Sequence, residues 1–146
     1  MREQILSILE ENSRIAVKEL ATRLAADELL VANELKAMEE QLRSFRTADG
    51  QPYRLLALPM PDAILESDFA DAVEEEGDQR LPATYANFLI INGAVLYPTY
   101  NQPLNDLQAK EILQQAFPDR EIVGIDCRVL IRQHGSLHCV TMQYPK

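Results

Sequence analysis

Cys139 directly follows His138 in the stretch HGSLHCVTM, residues 134–142. The chain has only two cysteines and two histidines, so this neighbouring pair contains the residue types best suited to covalent chemistry. A cysteine thiolate is a nucleophile and a metal ligand, and an imidazole can act as its base. Composition alone leaves a second interpretation open, in which Cys139 is a small apolar core residue.

The stretch SLHCVTM, residues 136–142, has the pattern of a short apolar strand. Successive side chains of a strand point to opposite faces. Cys139 would therefore share one face with Leu137 and Thr141, and His138 would face the other way. Adjacency in sequence is thus evidence against a pair of Cys139 and His138, and the pattern predicts a thiol without a positioned base.

Metal coordination at this stretch is poorly supported. No CxxC pair is present, and the nearby nitrogen ligands are His134 and His138 alone. We predict no metal, and we interpret Cys127 as a core residue and His134 as a solvent-facing loop residue. Gly135 is expected to form a turn. Two cysteines in a reducing cytoplasm are more often thiols than a disulfide.

Three helices are predicted over residues 2–46. The first, at 2–11, has apolar residues at helical spacing, and the second lies in VKELATRLA. The third begins at Asp27, whose side chain can cap the first turn. After a turn in TADGQPY, the run YRLLALP at 53–59 predicts an apolar strand, and the acid-rich segment 62–80 predicts a solvated loop with at most one weak helical turn.

From residue 84 the pattern predicts strands and one helix. TYANFLII and AVLYPTY flank Asn92-Gly93, which predicts a hairpin with a type I′ turn. A helix follows, capped by Asn105 with Gln108 in a capping box. EIVGID is the next strand, RVLIRQHG a connector, and SLHCVTM the last strand. Four aromatic residues are expected to pack in the sheet, namely Tyr85, Phe88, Tyr97 and Tyr100. A cap or turn role is expected for Asp126.

Bulk composition restricts the partners of this 146-residue chain. Its net charge of −9 disfavours nucleic acid and anionic membranes and suits a cationic small molecule. No apolar run approaches the roughly 20 residues that a membrane span needs. The N-terminus becomes acidic too early for a secretory signal. We therefore predict a cytoplasmic protein that does not bind membranes.

The segments ILSILEENSRIAVKELATRL and VANELKAMEE resemble the winged helix-turn-helix of the leucine-responsive and asparagine-type bacterial regulators. The candidate recognition helix Asp27–Gln41 carries five acids and one base, Lys36. Duplex binding needs lysines and arginines that face phosphates. The charge therefore disfavours DNA as a partner and favours a protein-contact or structural role for this unit.

A longer resemblance runs from about Glu34 to Lys146. The stretches YRLLALPMP, RLPATYANFLIINGAVLYPTYNQPLND, EILQQAFPDREIVGIDCR and HGSLHCVTMQYP are similar to the C-terminal part of agmatine deiminase and the bacterial peptidyl-arginine deiminases. The resemblance implies a pentein fold, in which five ββαβ-type modules surround a central active site. The predicted element order after residue 84 agrees with one such module.

The same resemblance implies that Cys139 is the nucleophile. Its thiolate would attack a guanidinium carbon, ammonia would leave, and water would hydrolyse the covalent intermediate to a ureido product, without metal or cofactor. The family's catalytic histidine and guanidinium-binding carboxylates lie in earlier modules, and no part of this chain matches those motifs. A thiol without these partners is expected to be inactive when the chain is alone.

The predicted fold class is α+β (α/β), with a helical, helix-turn-helix-like unit at 1–46 and a partial pentein module at 47–146. The predicted function is that of a C-terminal deiminase fragment with agmatine or arginine as substrate. A different interpretation is a non-enzymatic binding or oligomerisation module, forming a homo-oligomer or acting in a transcriptional regulator. A third interpretation is a truncated reading frame without independent function.

Overall fold

The computed structural model describes residues 1–11, 17–69, 80–142 and 144. The chain forms two compact units, Met1–Leu55 and Leu56–Lys146. In the part of the chain that the structure describes, no helix is both long and apolar enough to cross a membrane. The division of the sequence at residue 46 into a helical part and a deiminase module stays a prediction.

The first unit contains the three predicted helices. Helix α1 spans Arg2–Glu11, α2 spans Val17–Arg23 and α3 spans Glu28–Ser44. Their apolar residues recur at helical spacing and bury against one another in a small core. The buried members of this core are Ile5, Leu20, Ala21 and Val31. A regulator-like role for the unit stays a prediction.

Asp27 caps α3, as predicted. Its carboxylate accepts hydrogen bonds from the backbone N–H groups of Leu29 at 2.9 Å and Leu30 at 3.2 Å. These donors have no partner within the helix. Asp27→Ala is expected to lower the free energy of unfolding by about 1 kcal/mol, measured by urea titration with circular dichroism. Asp27→Asn keeps the acceptor, so an equal loss in both variants would contradict a capping role.

The predicted strand at 53–59 is wrong. The TADGQPY turn forms, with Gly50 at a φ of 80° and an isolated bridge between Arg46 and Pro52, but the residues that follow are extended and join no ladder. Pro52 and Pro59 bracket the run, and proline has no N–H to donate to a neighbouring strand. The apolar run therefore stays unpaired.

The second unit is built on a three-stranded sheet. Strand β1 spans Leu89–Ile91, β2 spans Ala94–Thr99 and β3 spans Glu121–Asp126, in the order β1-β2-β3. The pair β1 and β2 is an antiparallel hairpin, and β3 lies parallel to β2 after the crossover helix α4, Pro103–Ala116. The predicted order β, β, α, β is confirmed.

The hairpin turn differs from the predicted type I′. Gly93 has a positive φ of 80°, whereas Asn92 is not among the residues with positive φ. A type I′ turn needs positive φ at both central residues, and positive φ at the second alone is the pattern of a type II turn. Glycine is therefore required at position 93 only.

Strand β1 is shorter than predicted because of Pro98 on the partner strand. The register joins Ile91 to Ala94 and Leu89 to Leu96, so the next hydrogen-bonded pair would join Asn87 to Pro98. Pro98 has no N–H to offer there. The ladder ends, and Asn87 is left outside the sheet.

The main core lies under this sheet. Tyr85, Tyr97 and Tyr100 are buried, and half-buried Phe88 packs edge-on against Phe117 with ring centroids 5.7 Å apart, so the predicted aromatic packing is confirmed. The buried core residues are Ile64, Leu81, Ala83, Tyr85, Val95, Tyr97, Tyr100, Ala109, Leu113, Ile122, Cys127, Ile131 and Leu137.

The acidic segment 62–80 is described at its ends, and residues 70–79 lie outside the described part. One 3₁₀ turn, Glu66–Asp68, is present. The Arg132 guanidinium donates to the Glu66 carboxylate at 2.8 Å and lies 4.8 Å from the centroid of the Phe69 ring. The first part of the segment is therefore held against Arg132, which follows the short helix Arg128–Ile131.

Candidate functional site

The stretch 136–142 is not a strand. Its only regular element is a 3₁₀ turn, His138–Val140. The prediction that His138 and Cys139 face opposite sides of a sheet is therefore wrong, because the alternation of a strand does not apply. Both residues are exposed. The turn places the thiol of Cys139 at the surface of the second unit.

Asn87 holds this turn through both atoms of its side-chain amide. Its Oδ1 accepts a hydrogen bond from the backbone N–H of His138 at 2.6 Å, and its Nδ2 donates to the Sγ of Cys139 at 3.2 Å. The backbone N–H of His138, which a strand would have used to pair with its neighbour, is thus bonded to the side chain of Asn87. These two contacts hold the segment in its turn.

The thiol of Cys139 is set for ionisation. A backbone hydrogen bond from Ser136 and the side-chain hydrogen bond from Asn87 lower the pKa of Cys139, because both stabilise the thiolate. Gly135 packs directly behind it, so an added Cβ there would lie 3.3 Å from the Cβ of Cys139. An exposed cysteine with a lowered pKa is a candidate nucleophile.

His138 lines a shallow open depression beside the thiol. The cavity has a volume of about 660 Å³ and is lined by Ala86, Asn87, Phe88, Ile90 and His138. Its lining combines an apolar floor with an amide and an imidazole. A depression this open is not an enclosed ligand pocket.

Cys127 is fully buried, which confirms its interpretation as a core residue. Burial raises the pKa of its thiol, so it is a poor nucleophile. Cys127 precedes the short helix α5, Arg128–Ile131, and the Asp126 carboxylate accepts from the backbone N–H of Arg128 at 3.1 Å. The predicted turn role of Asp126 is therefore confirmed.

His134 lies in an exposed loop, as predicted, but the turn is made differently. His134 itself has a left-handed φ of 61°, whereas Gly135, the expected turn residue, has no positive φ. Among the residues that the structure describes, no group of three or more histidine, cysteine, aspartate or glutamate side chains could hold a metal ion.

A carboxylate on α4 holds the loop between β2 and α4. Asp106 Oδ1 accepts from the Tyr85 hydroxyl at 2.5 Å and from the Tyr100 N–H at 3.1 Å, and its Oδ2 accepts from the Gln102 N–H at 3.0 Å. Burial, followed by the hydrogen bond to Asp106, raises the pKa of Tyr85. The tyrosine hydroxyl therefore remains a donor at neutral pH.

The predicted cap at Asn105 with Gln108 is wrong. Helix α4 begins at Pro103, so Asn105 lies inside the first turn. Proline is favoured at this position because its fixed φ suits a helix and its missing N–H would have been unpaired. Asp106, one residue beyond Asn105, accepts the N–H groups that precede the helix.

Sequence reasoning missed Asn87. It is 51 residues from His138 and 52 from Cys139, and it lies within a stretch that was predicted to be strand. The available signal was Pro98, whose position across the hairpin ends the ladder at Asn87. A polar amide at the point where a strand must stop is a candidate for contacts outside the sheet.

The family model of the Porphyromonas-type peptidyl-arginine deiminases matches residues 12–145. The chain belongs to this family. The match begins well before Glu34, where the resemblance in the sequence was expected to start, and it includes α2 and α3. The helix-turn-helix likeness of these helices is a separate expectation that the family match leaves as a prediction.

Three relatives illustrate the similarity. The agmatine deiminase of Pseudomonas fluorescens Pf-5 is 36% identical over 118 residues, and the match covers 75% of this chain and 32% of that protein. An arginine deiminase-type protein of Porphyromonas gingivalis is 57% identical with a TM-score of 0.62 and covers 78% of this chain and 30% of its own. A cysteine-to-serine variant of the C. jejuni agmatine deiminase with substrate bound is 39% identical with a TM-score of 0.53, over 71% of this chain and 26% of its own.

This deiminase-family chain spans about a third of the length of the relatives that it matches. The predicted mixed helix and sheet architecture is confirmed, with pentein-fold deiminases as structural neighbours. The family assignment and the partial coverage agree with the predicted deiminase fragment.

Proposed function

We propose that this chain supplies the cysteine nucleophile of a guanidine-hydrolysing deiminase through Cys139. The observation that carries the proposal is the exposed thiol that receives hydrogen bonds from Asn87 and Ser136, in a chain of this family. Stabilising the thiolate is the first requirement for nucleophilic attack by sulfur. Cys139 meets that requirement through groups of this chain.

The reaction would proceed by covalent catalysis. The Cys139 thiolate forms a bond to the guanidinium carbon, and the carbon–nitrogen bond to one amino group breaks as that group leaves, protonated, as ammonia. Water then adds to the amidino carbon, the carbon–sulfur bond breaks, and the product is a ureido compound with the thiolate restored. Each step moves a proton, so a general acid and base must accompany the sulfur.

Those further groups are expected from segments that match the other two thirds of the relatives. A guanidinium must be held in line with the sulfur, usually by carboxylates, before attack is efficient. Cys139 receives its hydrogen bonds from an amide and a backbone N–H, neither of which is a base. The chain alone is therefore expected to release no ammonia from agmatine or arginine.

A chimera tests the proposal. The segment that matches the Pseudomonas fluorescens agmatine deiminase, 75% of this chain, would replace the corresponding segment of that enzyme. Ammonia release from agmatine is expected from the chimera and not from its Cys139→Ser variant. The chain by itself, assayed beside it, is expected to remain at background.

The matched control is the chain's other cysteine. Cys127→Ala changes a buried thiol and is expected to leave ammonia release in place. A chimera that matches the parent enzyme in size and circular dichroism but is inactive would contradict the assignment of Cys139. Ammonia release by the chain alone, abolished by Cys139→Ser, would contradict the need for further segments.

A further inference from the structure

One buried hydroxyl, that of Tyr100, contacts both segments that border the Cys139 sulfur. Asn87 donates to this sulfur at 3.2 Å, and the backbone of Ser136 lowers the pKa of the thiol. These residues are far apart in sequence, and neither belongs to a strand or a helix. Something else must therefore fix their distance from each other, and Tyr100 contacts both segments.

The first connection runs through Ser136. Its side chain is 2% exposed, and its Oγ lies 3.0 Å from the hydroxyl of Tyr100. A buried hydroxyl with a hydrogen-bond partner holds its own backbone in place, and that backbone stabilises the thiolate of Cys139.

The second connection runs through Thr84. The Tyr100 hydroxyl donates to the carbonyl of Thr84 at 3.1 Å and accepts from its N–H at 3.1 Å. Thr84 in turn begins the tight turn that presents Asn87: its Oγ1 accepts from the Ala86 N–H at 3.2 Å and its carbonyl accepts from the Asn87 N–H at 3.5 Å. Fixing Thr84 therefore fixes the base of Asn87.

The Tyr100 ring is itself held rigidly. It is 2% exposed, its centroid is 5.6 Å from that of Tyr85, and its backbone N–H is bonded to Asp106 at 3.1 Å. A phenol hydroxyl offers one donor and two acceptor positions. The Tyr100 hydroxyl donates to Thr84 and accepts from Thr84 and Ser136, so its one donor and two acceptor positions are all used.

We propose that Tyr100 is a positioning residue for the Cys139 thiol: its hydroxyl joins the segment of Ser136 to the turn of Asn87 and thereby holds the Asn87 amide at the sulfur. The proposal deepens the proposed function and rests on it, since it assigns a support to the same nucleophile. The titratable groups around this network are Tyr85, Cys127, His138 and Asp106, in addition to Tyr100 and Cys139.

The test is the pH profile of Cys139 alkylation by iodoacetamide, followed by mass spectrometry of the tryptic peptide that contains Cys139. Tyr100→Phe keeps the ring and removes the hydroxyl. At neutral pH it is expected to slow alkylation about threefold to tenfold and to move the profile to higher pH, because fewer thiols are ionised. Ser136→Ala keeps the backbone donor and loses one connection, so its expected shift is in the same direction and smaller.

Tyr97→Phe is the matched control. It also removes a hydrogen-bonded hydroxyl of a buried tyrosine, at 3.2 Å from the Asp106 carbonyl, but that hydroxyl bonds neither Ser136 nor Thr84. Its pH profile is expected to match that of the parent chain. An equal shift in Tyr97→Phe and Tyr100→Phe would show a general loosening of the core and overturn the proposal.

The remaining outcomes distinguish the positioning role of Tyr100 from the proposed function of Cys139. A parent profile at the low pH of an activated thiol, unchanged in folded Tyr100→Phe, overturns the role of Tyr100 and leaves the proposed function standing. A parent profile like that of an ordinary thiol overturns both. If Tyr100→Phe does not fold, Ser136→Ala decides, and an unshifted profile in that variant overturns the proposal.

Discussion

Asp106→Ala is expected to lower the free energy of unfolding of the second unit by about 2–4 kcal/mol. The substitution removes the common acceptor of three donors, namely the Tyr85 hydroxyl and the N–H groups of Tyr100 and Gln102. Tyr85 is fully buried, so water cannot readily replace the acceptor at that hydroxyl. The half-buried position of Asp106 allows water to replace part of the rest, which keeps the loss below the sum of three buried bonds.

Urea unfolding followed by near-ultraviolet circular dichroism measures this loss, since five tyrosines and no tryptophan supply the signal. Asp119→Ala, at an exposed aspartate just beyond the same helix, is the control and is expected to change stability by less than about 0.5 kcal/mol. Asp106→Asn keeps one carbonyl acceptor and should fall between them. A loss no greater in Asp106→Ala than in the control would contradict the central place given to this carboxylate.

Asn87→Ala is expected to slow alkylation of Cys139 about threefold to tenfold at neutral pH. The variant loses the Nδ2 donor at 3.2 Å from the sulfur and the acceptor of the His138 N–H. Because that donor lowers the pKa of Cys139, its loss moves the pKa upward and leaves less thiolate at neutral pH. Well above the pKa of both forms the two rates should converge, since both thiols are then ionised.

Asn87→Asp is the sharper variant. The carboxylate still accepts from the His138 N–H but cannot donate to the sulfur, and its negative charge opposes a second negative charge beside it. The expected order of alkylation rates at neutral pH is therefore parent, Asn87→Ala, then Asn87→Asp. Asn105→Ala, which removes an amide elsewhere in the unit, should match the parent. An Asn87→Asp rate equal to that of the parent would rule out hydrogen bonding from Asn87 as the cause of the low pKa.

Local patterns predicted most of the framework of this fold. Three helices in the first unit, the hairpin at Asn92-Gly93 and the order of β2, α4 and β3 follow from apolar spacing and turn residues, which act over a few positions. The run at 53–59 was mistaken for a strand because its apolar residues suit one. A strand also needs a partner, and the prolines around this run remove donors from its edges.

The setting of the thiol could not be predicted in the same way. The stretch around Cys139 has the residues of a strand, yet the N–H of His138 is bonded to the side chain of Asn87. That contact joins positions about fifty residues apart, and no periodicity within either segment reports it. The cysteine itself was predicted as the functional residue by family resemblance, and its assignment as the nucleophile stays a proposal.

The pKa of Cys139 is lowered by the main chain at Ser136 and at Cys139 itself, and by the side chain of Asn87. A point mutation can delete the side-chain donor of Asn87, whereas only proline at position 136 would remove the main-chain N–H of Ser136. Natural or engineered substitutions can therefore change the side-chain donor at position 87 more easily than the main-chain group at position 136. Reactivity can be graded through codon 87, while codon 136 can alter it only through the backbone, by displacing it or by removing its N–H.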